Sequence, residues 1–301
     1  MKNNLFDGIR LQCERKGLNN ELKQIQSRAN ELNKKAQINP MGQIQIPFTE
    51  LRGVVTDSGA TKIIGYEVTP SANIITRARY LEGLSANALY PIFRTNPSYW
   101  ANEQQGNQDI THVMLSPHRM FSELTYDLTL ILSTDSSIQK ALTEDLVNNI
   151  YEKVESTLLS NSDTTNGNPK GLFTLVTPTE TTALTFNVFA EMEKNFYLSG
   201  AKTPLYIFSP SAFAKVKATF KELFINGKFN DIDYIVTNNM QSDYILLCDL
   251  SHLLVSLFGA LDVVIDDVTQ KREGKVRLIC NSYWDWNITN QAAFQAIKLS
   301  E

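Results

Sequence analysis

The chain has 301 residues, 43% of them hydrophobic and 20% charged, and carries a net charge of −4. That is enough apolar material for one large core or two small ones, and the lack of a basic excess argues against a sequence-specific DNA binder. Cys13, Cys248 and Cys280 are odd in number and far apart, so neither a disulfide framework nor a zinc site is expected. No apolar run approaches the roughly 20 residues that span a bilayer. The opening MKNNLFDGIRLQ lacks the apolar segment of a secretory signal, so synthesis and assembly in a cytoplasm, away from membranes, are expected.

Residues 1–37 carry eight Lys/Arg against four Asp/Glu and one aromatic, Phe6. Leu18, Leu22, Ile25, Ala29, Leu32 and Ala36 recur at spacings of 4, 3, 4, 3 and 4, the rhythm of a helical seam. Two readings stand: an assembly helix that zips subunits together through Leu18, Leu22, Ile25 and Leu32, or a helix docked on its own domain. Residues 38–87 are broken by Pro40, Pro47 and Pro70, with short β-type runs such as 44–46 and 62–66 between. They read as an extended arm or a small β subdomain. Removal of residues 1–70 is expected to impair assembly and leave the core folded.

Residues 88–123 read as a long hairpin, with 89–94 rising and 110–115 returning around a wet tip, 102–109, rich in turn residues. A two-stranded ribbon alone is marginal in water, so a neighbour is expected. Tyr90, Phe93, Tyr99 and Trp100 are the candidate contact residues, because large aromatics in a wet hairpin imply burial. The alternative is packing on the chain's own body.

The clearest element is a helix opening at Ser136. Ser136 and Gln139 fit a capping box, and Ile138, Leu142, Leu146, Ile150, Val154 and Leu158 recur every four residues, widened by Ala141 and Val147. Lys140, Glu144, Asn148, Glu152 and Glu155 are placed on the opposite, polar face. At about 1.5 Å per residue some 24 residues span roughly 36 Å. Asn166, Gly167 and Pro169 prevent resumption. Helices over 186–199 and 211–220 then alternate with strands at 205–208, 234–236 and 244–248, with further strands at 253–258 and 263–265 and β character from Val276 to Ile297. The fold class is α+β.

Chemistry is not signalled. His112, His118 and His252 are isolated. Asp262, Asp266 and Asp267 suggest a carboxylate cluster, but the pair Asp266-Asp267 precedes Thr269 and Lys271-Arg272 and reads more readily as a solvated turn. Asp285, between Trp284 and Trp286, reads as either an exposed acid or a buried one with a raised pKa. No nucleophile elbow, phosphate loop, dinucleotide fingerprint or metalloprotease motif is present. No catalytic residue, cofactor or metal is expected, and the chain is not expected to be an enzyme.

The order of elements over residues 70–300 resembles the Hong Kong 97-type major capsid proteins of tailed phages. The motifs that carry the resemblance are Trp100-Ala101-Asn102-Glu103, Pro117 leading by a strand into Leu132, the Asn166–Leu172 loop, Ile207-Phe208-Ser209-Pro210, and the Asn287–Ile297 ending. The resemblance implies a fold with a long spine helix, an extended β-hairpin loop (88–123) carrying Glu103 among its contacts, an axial domain (183–265) and a peripheral domain (116–182 and 266–301). It implies self-assembly into hexamers and pentamers of a phage head that encloses double-stranded DNA. Scaffold, maturation protease and portal are its implied partners. An encapsulin-like compartment on the same fold is the alternative. The tip has no lysine, so the lysine cross-link of some members is not expected. Residues 1–37 are far shorter than the scaffolding segment of many members.

Overall fold

The computed structural model describes residues 4–48, 74–93, 110–133 and 136–300. The described residues build two sheets and a separate ribbon. In the first sheet the strands β1 (Ile44–Ile46), β2 (Arg79–Glu82) and β5 (His118–Asp127) gather around the long pair β12 (Leu253–Asp266) and β13 (Lys275–Ile288), in the order β1-β12-β13-β5 with β2 parallel to β12. The sequence splits β12 into two short runs. The structure makes it one strand with a bulge between Phe258 and Asp262, and at the bulge Gly259 takes a left-handed φ of +65°, where a side chain would run into Asn33.

The helix α3 (Ser136–Leu158) lies on one face of this sheet. Tyr151 meets the ring of Trp284 there, and Tyr126 Oη donates to Asp145 at 2.7 Å. The helices α1 (Asn4–Cys13) and α2 (Asn20–Lys35) complete the module. Asn19 caps α2 by accepting from the N–H of Leu22 at 2.8 Å. Gln26 of α2 donates to Gln45, whose strand partner is Asp262, so α2 lies on the face opposite Trp284. With both faces covered, β12 is buried without a break from Leu253 to Val263. That explains why it reads as an apolar run and not as an alternation.

Of the two readings of residues 18–36, this arrangement has the geometry of the second, a helix docked on its own domain. Leu22, Ile25 and Ala29 are buried, Leu18 and Leu32 half-buried, and α2 packs on β12 and β1 of its own chain. Leu5, Phe6 and Ile9 of α1 and Ile44, Ile46 and Phe48 belong to the main core. The seam has the same spacing whether its partner is a second subunit or a sheet edge, so spacing alone could not choose. Removal of residues 1–70 would take these core side chains with it.

The long helix keeps its predicted bounds, with two differences. Ala141 is exposed, and Glu155, assigned to the polar face, is only 2% exposed. A second layer of chain covers that side of the helix, which one helix's periodicity does not reveal. Ser136's side chain lies outside the described residues. Gln139 is buried and donates to Ser133 O and Asp7.

The second sheet runs β6 (Thr179–Thr181), β14 (Phe294–Leu299), β11 (Tyr244–Cys248), β7 (Leu205–Phe208), β10 (Ile232–Val236), β9 (Lys228–Phe229), β8 (Phe224–Ile225). It is flanked by α4 (Phe186–Leu198) and α5 (Pro210–Thr219). Ser209 caps α5 and Pro210 opens it. Phe189, Tyr206, Phe208 and Phe229 meet edge to face or stacked at 5.0–6.2 Å. β14 pairs with β11, so 294–299 sits in the sheet of the 183–265 segment, and β12 leaves that sheet for the first. Pairing between strands distant in sequence draws these borders, and no local pattern announces it.

Candidate assembly surfaces

The ribbon is formed by β3 (Ala88–Phe93) and β4 (Ile110–Leu115), antiparallel from Ala88↔Leu115 to Phe93↔Ile110. The predicted tip residues Tyr99, Trp100 and Glu103 lie outside the described residues, as does the side chain of Phe93. At the root, Tyr90, Val113 and Leu115 join Ala36, Ile38 and Phe258 in a small cluster apart from the main core. Tyr90 is thus half-buried on its own chain, with the Arg79 guanidinium 5.7 Å from its ring centroid. The opposite face of the ribbon carries what the sequence reading missed. Leu89 and Met114 are direct cross-strand partners and are 64% and 59% exposed. The signal was present in the alternation Leu89/Tyr90 and Val113/Met114, since successive strand residues face opposite ways.

A groove of about 930 Å³ runs beneath the ribbon, lined by Arg79, Tyr90, Thr111, His252, Asn290 and Gln291 among others. On the first sheet, β5 pairs along one side with β13, and its residues alternate between half-buried and exposed. Phe121 is on the exposed side.

The titratable groups read as structural. Asp262 is buried and accepts from the N–H groups of Met41 and Gly42 at 2.8 Å and from Gln45 at 3.1 Å. Asp266 does sit in a turn, accepting from the N–H groups of Val268 and Thr269 and from Arg277. Those N–H groups and the guanidinium hold its carboxyl well below the usual range. Asp285 is corrected from the exposed alternative to the buried one. It is 8% exposed, accepts from Ser116 N–H at 2.7 Å and Trp286 N–H at 2.8 Å, and burial raises its pKa. Alternation placed it opposite the tryptophans correctly, but that face is covered by the ribbon root. Burial also raises Glu155, against the hydrogen bonds of Asn239, Ile74 and Thr237, and pushes the Cys280 thiol up to about 12. His118 Nδ1 lies 2.9 Å from Gly167 O, and His252 Nδ1 lies 3.1 Å from Thr289 Oγ1. Among the described residues no group of three or more His, Cys, Asp or Glu is placed to hold a metal, and no helix is long and apolar enough to cross a membrane.

The loop after α3 is closed by Gly171, whose N–H donates to Ser162 O at 2.9 Å. A side chain there would strike the Ser160 carbonyl. Trp286 Nε1 donates to Lys170 O at 2.7 Å, joining this loop to β13.

The arrangement is that of capsid subunits. The capsid of an empty GTA particle superposes with a TM-score of 0.60 at 13% identity, over 84% of this chain and 98% of that one. A Gordonia phage Cozz chain gives 0.57 at 12% identity, over 82% and 92%. A chain of the satellite phage P4 procapsid that includes the size determination (Sid) protein gives 0.54 at 9% identity, over 76% and 95%. At such identities the likeness speaks to the fold. The model of the Phage capsid family matches residues 52–299, and the chain belongs to that family. Its role is that of a structural capsid protein. No curated protein matches the sequence.

Proposed function

We propose that this chain is a major capsid protein whose copies form hexamers and pentamers of an icosahedral phage head around double-stranded DNA. The observation that carries the reading is the apolar pair Leu89 and Met114, left open on a ribbon in a chain of the phage capsid family. A pair of this kind on a marginal two-stranded element calls for cover, and a neighbouring copy is the cover such a family supplies. In this reading the ribbon is the extended loop and α3 the spine helix. The first sheet forms the peripheral domain and the second sheet the axial domain. Contacts that are each modest add up because every subunit makes several at once, and rigid rotation of subunits permits expansion of a precursor shell. DNA is enclosed without base recognition, in keeping with a net charge of −4. A scaffold, a maturation protease and a portal are the further partners. The particle forms in the host bacterial cytoplasm and the chain ends in the virion.

The test is to express the chain alone and image it by negative-stain electron microscopy. Closed shells or rings of five and six subunits are expected. A monomer that stays monomeric when the other structural proteins from the same gene cluster are added overturns the reading.

A further inference from the structure

The ribbon joins the body through two short linkers, residues 83–87 and 116–117. In the first, Gly83 (φ +67°) and Asn87 (φ +54°) are both left-handed. In the second, Pro117 fixes one torsion and restricts Ser116 before it. Ser116 Oγ donates to Asn87 Oδ1 at 3.0 Å, so the two linkers are tied to each other. The body holds this pair through Asp285, whose Oδ2 accepts the Ser116 N–H at 2.7 Å. Its other oxygen, Oδ1, accepts the N–H of Trp286 at 2.8 Å. The carboxylate is buried, and its neighbours Trp284 and Trp286 are locked in place, one by the Tyr151 and Phe48 rings, the other by the Lys170 carbonyl.

We propose that Asp285 is a proton-operated anchor that fixes the angle of the ribbon at its root. Each oxygen already accepts an N–H, and a proton added to the carboxyl removes the charge that strengthens both hydrogen bonds and leaves one oxygen a poorer acceptor. Trp286 N–H belongs to a long paired strand and cannot turn away without breaking β13. Ser116 sits on a linker between two separate sheets, so its contact is the one that opens. The ribbon then gains freedom about residues 83–87 and 116–117.

Burial shifts this carboxyl upward from its ordinary value. Burial works for the neutral form, while the Ser116 and Trp286 N–H groups and the charge of His118 pull toward the carboxylate. The charged side chains near the site come from β2, β5 and α3, with Arg79 of β2 paired beside Leu254 and turned to Tyr90 of the ribbon. His118 and Arg119 lie at the start of β5, and Lys153 of α3 lines a small cavity with them and both tryptophans. Arg119 is turned to Asn281 Oδ1 at 2.8 Å. The anchor is a property of one subunit, so it is tested on unassembled chain and stands or falls apart from shell formation. Its consequence for assembly is that proton binding changes the angle at which the ribbon meets a neighbour.

The experiment is amide hydrogen exchange of the full chain between about pH 7 and about pH 5, corrected for intrinsic rates and read at residues 111–116. The wild type is expected to lose protection there several-fold on acidification. Asp285→Asn should show the low protection already at neutral pH, with the pH dependence gone. Asn87→Ala should lower protection and keep the pH dependence. His118→Gln removes a charge that favours the carboxylate, so the midpoint should move to higher pH, a shift that a purely structural role would not produce. Wild-type protection that stays flat across the range overturns the proposal. So does an Asp285→Asn chain that retains the wild-type pH dependence. If that variant does not fold, an unmoved midpoint in His118→Gln overturns it.

Discussion

The second sheet and the ribbon are both short-stranded, aromatic-rich and joined to the same body, yet they end in opposite states. In the second sheet, Phe189, Tyr206, Phe208 and Phe229 are fully buried against one another. In the ribbon, one face closes on the root cluster around Leu115 and Phe258, while Leu89 and Met114 on the other stay in solvent. The aromatic centre of the second sheet is satisfied by its own chain, with apolar surface left at its margins, as at Ile225 of β8 and Leu198 of α4; the ribbon leaves a direct cross-strand apolar pair open. Hydrophobic burial is non-directional and roughly proportional to area. Apolar residues kept on an exposed ribbon therefore mark surface held for something outside the subunit, which is the physical basis of the proposed lattice contact.

The contrast can be broken first at the N-terminus. Leu5, Phe6, Ile9 and Ile25 are part of the main core, and burial of each such side chain is worth about 1.5–3 kcal/mol. Together they rival the ~5–15 kcal/mol by which a domain is stable. Deletion of residues 1–37 is expected to yield an unfolded or aggregated chain by circular dichroism and size exclusion. A cooperatively folding deletion variant would make the segment separable after all.

Next in size is the aromatic cluster. Phe229→Ala should cost about 3–5 kcal/mol through lost burial and a cavity, read from urea denaturation. A loss below about 1 kcal/mol would mean that the second sheet is far less tightly packed than its ring contacts imply.

A smaller effect is expected where the two modules meet. Glu155 on α3 receives hydrogen bonds from Thr237 and Asn239, which follow β10, at 3.2 and 3.3 Å, and from Ile74 N–H. Its folded carboxyl is raised by burial above the ordinary value of 4.5. The folded state therefore keeps its proton to higher pH than the unfolded state, and stability falls as pH rises from the unfolded value through the folded one. Glu155→Gln removes this contribution. The wild type should lose ground relative to the variant between about pH 4 and about pH 7 in paired denaturation midpoints. A difference independent of pH would refute the burial argument.

The smallest effect on stability should come from the ribbon. Leu89→Ser with Met114→Ser is expected to shift subunit stability by no more than about 0.5 kcal/mol, as surface changes do. The same pair should reduce the yield of shells in electron micrographs. Normal shells from the double variant would remove the ribbon face from the lattice contact and with it the lesson of the comparison.

Much of this was legible in advance, for local reasons. The long helix was readable because Leu142, Leu146, Ile150 and Leu158 repeat at a helical period over many turns. The helix opening at Pro210 was announced by Ser209, whose hydroxyl accepts from Ala212 N–H. The strands at 205–208 and 244–248 and the hairpin after residue 88 followed from short apolar runs and turn residues. These features depend only on neighbours in the chain, where backbone sterics and side-chain period act directly.

What pairs with what was decided elsewhere. The same apolar spacing in α2 could have met another subunit, and only the fold places it on β12. Glu155 and Asp285 look like surface acids in sequence, and only a second layer of chain buries them. Residues 294–299 join the sheet of residues 205–248 because Phe294 and Ile297 register against Cys248 and Ile245. Sequence sets each element's period and which of its faces is apolar. The tertiary structure alone chooses the partner for that face, because burial rewards area removed from water whatever surface covers it.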